Sequence, residues 1–214
     1  MIIAVAAVSC STRTDRSVKT SNEFEILPLP QDSSVFYFVT KPTLQDTSQS
    51  ALDTFVNAWY SKMLFALKEP IISNYKGDKE IYRFTWLRTF HHPVSIRLEK
   101  QDNIIKLFSK ISSGAGGYEP GHLIMDTSFN VAEDDYRSLI NKLEEANFWN
   151  IPTEKRDNNG EDGSEWIIEA IKDNKYHMAT RWTPTKDYEK SFRKVGEYLI
   201  NISKITIDER KYAF

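Results

Sequence analysis

The chain has 214 residues, 40% of them apolar and 27% charged, with a net charge of −2. These figures describe an ordinary globular protein and exclude a general nucleic-acid binder, which would be distinctly basic. Its single cysteine excludes an intrachain disulfide, and none is needed, because a chain this long buries roughly 70% of its unfolded surface.

Residues 1–9 are wholly apolar or small, and they stop abruptly at Cys10. The run cannot cross a bilayer, which takes about 20 helical residues, but it fits the apolar region of a secretory signal, about 7–15 residues. Ala7-Val8-Ser9-Cys10 resembles the lipobox of bacterial lipoproteins, in which the signal is cut before a cysteine that then carries lipid. Here no Lys or Arg precedes the apolar run, and the box lacks Leu at its first position. The other reading is a buried N-terminal strand at Ile2-Ile3-Ala4-Val5, with the chain then cytoplasmic. Residues 11–33 are rich in Ser, Thr and charge, with Pro28 and Pro30, and read as a flexible tether.

Ser34–Val39 reads as a short strand. Asp46 and Gln49 suggest a helix cap. Leu52, Phe55, Val56, Trp59, Tyr60, Met63, Leu64 and Leu67 then recur at helical spacing until Pro70. In Tyr82–Phe90 aromatics alternate with mostly polar neighbours, so one face of a strand is expected to be core. His91-His92-Pro93 breaks that run. Val94–Glu99 and Ile104–Ile111, joined by a turn at Gln101–Asn103, continue a meander. Residues 112–121 read as a flexible glycine-rich loop, with a strand at His122–Met125. Asn130 and Glu133 form a capping box for a helix carrying Tyr136, Leu139, Ile140 and Leu143. Phe148 and Trp149 are placed to plug its end, and residues 153–164 form an acidic turn-rich loop. Thr183-Pro184 opens the last helix, whose buried face is Tyr188, Phe192, Val195, Leu199 and Ile202.

This order predicts an α+β fold: an antiparallel sheet, a meander plus a C-terminal hairpin, with about three helices packed on one face. The expected organisation is a signal at 1–10, the tether at 11–33, one domain at 34–205 and a frayed tail at 206–214.

Between Glu165–Ile171 and Tyr176–Trp182, a two-residue turn at Asp173-Asn174 sets the register. It pairs Ile171 with Tyr176, Ala170 with His177, Trp166 with Arg181 and Glu165 with Trp182. Trp166, Ala170, His177 and Arg181 then share one face. An Arg over a Trp gives a cation–π contact. Two readings stand: a structural cross-strand pair, or a polar-aromatic surface for a ligand or protein partner.

Other chemistry fails on context. Gly114–Gly117 precedes a strand rather than a helix, and no Lys-Ser/Thr follows, so it is no phosphate loop. Counted as a calcium loop from Asp157, the chain has Asp162 where Gly belongs and Ile168 where Glu belongs. His91, His92, His122 and His177 show no metal-ligand spacing, no G-x-S-x-G occurs, and no cofactor is expected.

Tyr60-Ser61, Leu67-Lys68-Glu69-Pro70, Tyr82–Phe90, Gly114–Gly121, Phe148–Pro152, Asp162–Trp166 and Arg181-Trp182 together resemble an uncharacterised family of small bacterial envelope lipoproteins. The likeness runs over about residues 50–205 and implies bacterial origin and export, but no known activity. The expected function is therefore a non-enzymatic, envelope-tethered interaction or accessory domain. It would touch the membrane only through lipid on Cys10, and its partner would be a protein. A hydrolase using Asp162 and Glu165 on the 157–165 loop is one alternative. The other is an immunity-type protein that blocks a toxin with that loop and the hairpin.

Overall fold

The computed structural model describes residues 23–42, 50–155 and 162–206. Cys10, the Asp46–Gln49 cap and residues 156–161 of the acidic loop lie outside them, as does the tail beyond 206. No helix among the described residues is long and apolar enough to cross a membrane.

The fold is α+β. Two short strands, β1 (Val39–Thr40) and β2 (Ala51–Leu52), pair in parallel ahead of α1 (Thr54–Ala66). A meander follows: β3 (Glu80–Arg88), β4 (Val94–Gln101), β5 (Ile104–Ser112) and β6 (Leu123–Asn130). Then come α2 (Glu133–Glu145), a 3₁₀ turn at Phe148–Asn150, β7 (Glu154–Lys155), the hairpin β8 (Ser164–Lys172) and β9 (Lys175–Trp182), and α3 (Lys190–Ile202). The main sheet has seven strands in the order β6-β5-β4-β3-β8-β9-β7. Every ladder in it is antiparallel except β7 on β9. The β7 ladder converts part of the expected 153–164 loop into sheet edge.

The hairpin follows turn geometry. Asp173 and Asn174 take positive φ of 51° and 59°, as a tight turn matching strand twist requires. The register pairs Trp166 with Arg181, Ala170 with His177 and Ile171 with Tyr176.

Helices cover both faces of the sheet rather than one. Alternation puts Phe84, Trp86, Ile96, Leu107, Trp166 and Ala179 on one side, where they pack with Leu139, Leu143, Phe192, Val195 and Leu199 of α2 and α3. Phe148 is fully buried in the same cluster and plugs the end of α2. Leu87, Ile167 and Met178 face the other side and meet Tyr60, Met63 and Leu64 of α1.

That second side departs furthest from a single-faced sheet. β3 is buried on both faces. Its polar residues Arg83 and Thr85, with Ser95, Arg97 and Glu99 of β4, are interior. Arg83 and Arg97 flank Glu69. Lys68, in left-handed conformation (φ 51°), ends α1, and the Glu69 N–H donates to the Leu64 carbonyl at 3.0 Å. The Glu69 carboxylate thereby sits 2.8 Å from Arg97 Nε, 3.4 Å from Lys110 Nζ and 3.5 Å from Arg83 Nη1. Arg83 Nε also donates to Glu169 at 2.7 Å, and Lys79 pairs with Glu99 at 2.7 Å. Phe24, Leu27 and Tyr37 lie over this layer. Residues 24–27 therefore rest on the sheet: Leu27 is buried with Ile72, Ile81 and Ile171, and the Glu25 N–H donates to Gln101 at 2.9 Å.

Several boundaries move for local reasons. Asp53 caps α1, its carboxylate accepting from the Val56 N–H at 3.0 Å, and Leu52 belongs to β2. Of the expected 34–39 strand only Val39 lies in a ladder, as the first residue of β1. Asn130 ends β6, so the cap of α2 is Ala132, whose N–H donates to Asp135 at 3.3 Å. Residues 183–189 form turns, and α3 starts at Lys190, not Pro184. The glycine-rich loop is stitched down. Gly116 and Gly117 donate to His91 and Thr89 carbonyls at 3.0 and 3.2 Å, and a Cβ on Gly116 would lie 2.6 Å from the Arg88 nitrogen.

Candidate functional site

The helix-facing side of the hairpin is interior rather than an open surface. Trp166 is fully buried between Phe84 and Trp86, with ring centroids at 5.1 and 5.2 Å, and its indole N–H donates to Ser164 at 2.9 Å. The guanidinium over Trp166 belongs to Arg193, at 5.2 Å. Arg181 lies instead over Phe192, also at 5.2 Å. Its Nη1 donates to the carbonyls of Pro152 and Thr180 at 3.1 and 2.7 Å, and its Nε lies 3.3 Å from Glu189. It ties β7 and the entrance of α3 to β9, a structural role.

His177 is buried too, edge-on to Phe148 at 5.0 Å, with Nδ1 3.0 Å from Ser50 Oγ. Burial, with Lys175 and Arg181 nearby, pushes its pKa below the ordinary 6.5, against a bond to the Ile151 backbone that raises it. The unfolded chain therefore binds the extra proton more readily. Stability should be flat above pH 6.5 and fall as pH drops below it. In His177→Gln that part of the acid loss should vanish, read from urea midpoints between pH 7 and 5. Equal slopes in the two proteins would show that His177 charges at no cost.

The opposite face of the same hairpin opens into a cleft of about 450 Å³ between α1 and the β7–β9 edge. Asp53, Phe55, Val56, Trp59 and Tyr60 line it from α1 and its cap, Glu154 and Lys155 from β7, and Glu165, Thr180 and Trp182 from the hairpin. Strand alternation explains the last three. Glu165 and Trp182 are register partners, so they share this face with Thr180, two residues away. Phe55 stands at the rim with 80% of its surface exposed. The Trp59 indole N–H donates to the Gly116 carbonyl at 2.9 Å, which fixes that wall against the glycine-rich loop.

At the floor, Thr180 Oγ1 donates to the Glu165 carboxylate, and Tyr60 Oη lies 3.3 Å from Thr180 Oγ1. A carboxylate only accepts, so the hydroxyl protons run from Tyr60 to Thr180 to Glu165. Burial first, then the charge of Glu165, pushes the Tyr60 pKa well above its usual 10. Glu154 accepts from Lys41 at 2.6 Å, and Lys155 donates to Glu189 at 2.9 Å.

Glu165 is thus the one sequence-designated residue in the cleft. Asp162 is exposed and does not line it, so the pair Asp162 and Glu165 is not assembled there. The other lining residues escaped sequence reading, although the near-helical spacing of Phe55 and Trp59 beside a cap was the available signal.

No protein-family model and no curated protein matches the chain.

Proposed function

We propose that this chain is a non-enzymatic binding domain, and that the cleft beneath α1 receives its ligand or the projecting side chains of a protein partner. The observation that carries this reading is the concave site itself: about 450 Å³, walled by Phe55, Trp59, Tyr60 and Trp182, with carboxylates between them. Mostly apolar concavities of roughly 300–1,000 Å³ with a few convergent polar groups are the usual form of a binding site. Each carboxylate also serves the fold, since Asp53 caps a helix, Glu154 holds Lys41 and Glu165 holds Thr180. That favours binding over acid–base chemistry.

The test is a screen of amines, amino acids, short peptides and oligosaccharides by tryptophan fluorescence, on the native chain and on Trp59→Ala. Probes that bind the native chain should lose at least about threefold in affinity on the variant, within the range of an aromatic contact. Binding indifferent to Trp59, or turnover of any probe, would overturn this reading.

We further propose that the domain works at a bacterial cell envelope, held by lipid on Cys10. Support comes from the apolar run ending in Ala7-Val8-Ser9-Cys10. Cys10→Ala should move the protein from the membrane fraction to the soluble fraction; unchanged fractionation removes the anchor.

A further inference from the structure

We infer that the outer edge of β6 is a self-association surface: a second copy of this chain adds its own β6 there, antiparallel, about a two-fold axis at Thr127. This surface is at the far end of the sheet from the cleft and is independent of it.

The first argument is backbone direction. β6 ends the seven-strand order and is eight residues long. The Val131 N–H donates to the Ile105 carbonyl at 3.0 Å. In an antiparallel ladder bonded and non-bonded pairs alternate, so the register turns the backbone of Met125, Thr127 and Phe129 toward β5. The N–H and C=O groups of Asp126, Ser128 and Asn130 then point outward. Among the described residues, no backbone group pairs with them. The ladder shifts only between Ile111 and Ser112, so the strand from Met125 to Asn130 is regular. It holds no Lys and no Pro, the common devices that blunt an edge, and Ile124 beside it is 51% exposed.

The second argument is register, which selects a second copy as the occupant. Outward groups must meet outward groups, so an axis near the middle of the strand falls at Asp126, Thr127 or Ser128. At Asp126 it would set two carboxylates directly opposite each other, which is repulsive. At Ser128 it would carry Ile124 opposite Ala132, beyond the strand. At Thr127 the whole strand is used. Asp126 then faces Ser128 of the second copy, Ile124 faces Asn130, and on the other side of the sheet Met125 meets Phe129. Met125 and Phe129 are half-buried at the margin of the core, so this contact extends it.

Charge agrees at the two ends. About this axis the Asn130 end of one β6 lies at the Leu123 end of the other. Asn130 leads into the first turn of α2, where Asp134 is exposed, and Leu123 shares a cavity wall with Lys68 and His122. Acid and base therefore approach each other twice.

The experiment uses the full chain with Cys10→Ala, and sedimentation up to millimolar concentration should show a dimer. Ser128→Pro removes an outward N–H without touching the β5 ladder, and should weaken the dimer about 5- to 150-fold, the worth of the two hydrogen bonds lost across the axis. Thr127→Cys should link to its own copy on oxidation, since residues opposite each other in a non-bonded pair lie about 4.5 Å apart at Cα. Asp126→Cys should not, because its own copy is diagonal, at about 7–8 Å. A monomer at every concentration overturns the inference. So does a dimer indifferent to Ser128→Pro, or equal linking of the two cysteine variants. Hydrogen exchange at Asp126, Ser128 and Asn130 separates the reasons for a monomer. Slow exchange would mean that the chain's own residues beyond 206, which leave α3 where Lys204 lies over Phe129, cover the edge. Fast exchange would leave the edge to a different protein.

Discussion

Glu69→Ala should destabilise the protein by about 3–5 kcal/mol, as expected when one partner of a buried ion network is removed. Glu69 is fully buried and lies 2.8 Å from Arg97, 3.4 Å from Lys110 and 3.5 Å from Arg83. Without it, Lys110 loses its carboxylate in a nearly dry interior, while Arg97 is left with Glu99 and Arg83 with Glu169 and the Pro70 carbonyl. The cost is the unpaired charge rather than the pair itself, so replacing the whole cluster with apolar residues of similar volume should do far less damage. Urea denaturation at pH 7 measures the difference. A loss under about 1 kcal/mol would show that the cations find water or new partners, contrary to this account.

The same cluster has a pH signature with two opposing members. Burial raises the Glu69 pKa, but Arg97, Lys110 and Arg83 together outweigh it and hold the carboxyl below the ordinary 4.5. Its contribution to stability is present above about pH 4.5 and lost as pH falls through the lower folded value. Glu169 behaves the other way. Burial dominates over Arg83 and holds its pKa above 4.5, so its ionisation costs stability as pH rises through that higher value. In Glu69→Ala the acid-side loss should shrink while any gain from protonating Glu169 remains.

Trp166→Ala should cost a similar amount, about 3–5 kcal/mol, which for a chain of this size lowers the melting temperature by about 6–20 °C. Trp166 is fully enclosed by Phe84, Trp86, the Arg193 guanidinium and the backbone of α3. A Cβ on Gly196 would lie 2.6 Å from its ring, so the helix approaches as closely as a glycine permits. The cavity cannot easily close, because sheet and helix are both rigid around it. A melting temperature unchanged within about 2 °C would return Trp166 to the second of its two sequence readings, a residue of an exposed surface. Binding of probes at the cleft should survive in the folded fraction of this variant, since Trp166 and the cleft lie on opposite faces of the sheet.

The hairpin shows how much could be read in advance. Asp173-Asn174 is a local signal, and a two-residue turn leaves one register, so the pairing of Trp166 with Arg181 and of Ala170 with His177 follows from the chain alone. The meander and the apolar faces of α2 and α3 were legible for the same reason: their periodicities are carried by near neighbours. Which way those faces look was not. Tyr82-Arg83-Phe84-Thr85-Trp86 alternates as a half-solvated strand does, yet both of its sides are buried. The partners that make the polar side tolerable, Glu69, Arg97 and Glu169, are brought in from three other segments, Glu169 from 86 residues away. Phe55 and Leu52 misled in the opposite sense, since helical spacing does not reveal that the helix starts at Thr54 and leaves Phe55 at the rim of a cleft.

By itself, then, the sequence determined the α+β class, the hairpin register and the apolar helix faces, because turn residues and periodicity act over a few positions. The second covering of the sheet, the buried ion network and the cleft that joins Glu165 to Trp59 were decided only in the tertiary structure. Each depends on groups distant along the chain meeting across a strand or a helix, and no local pattern encodes such a meeting.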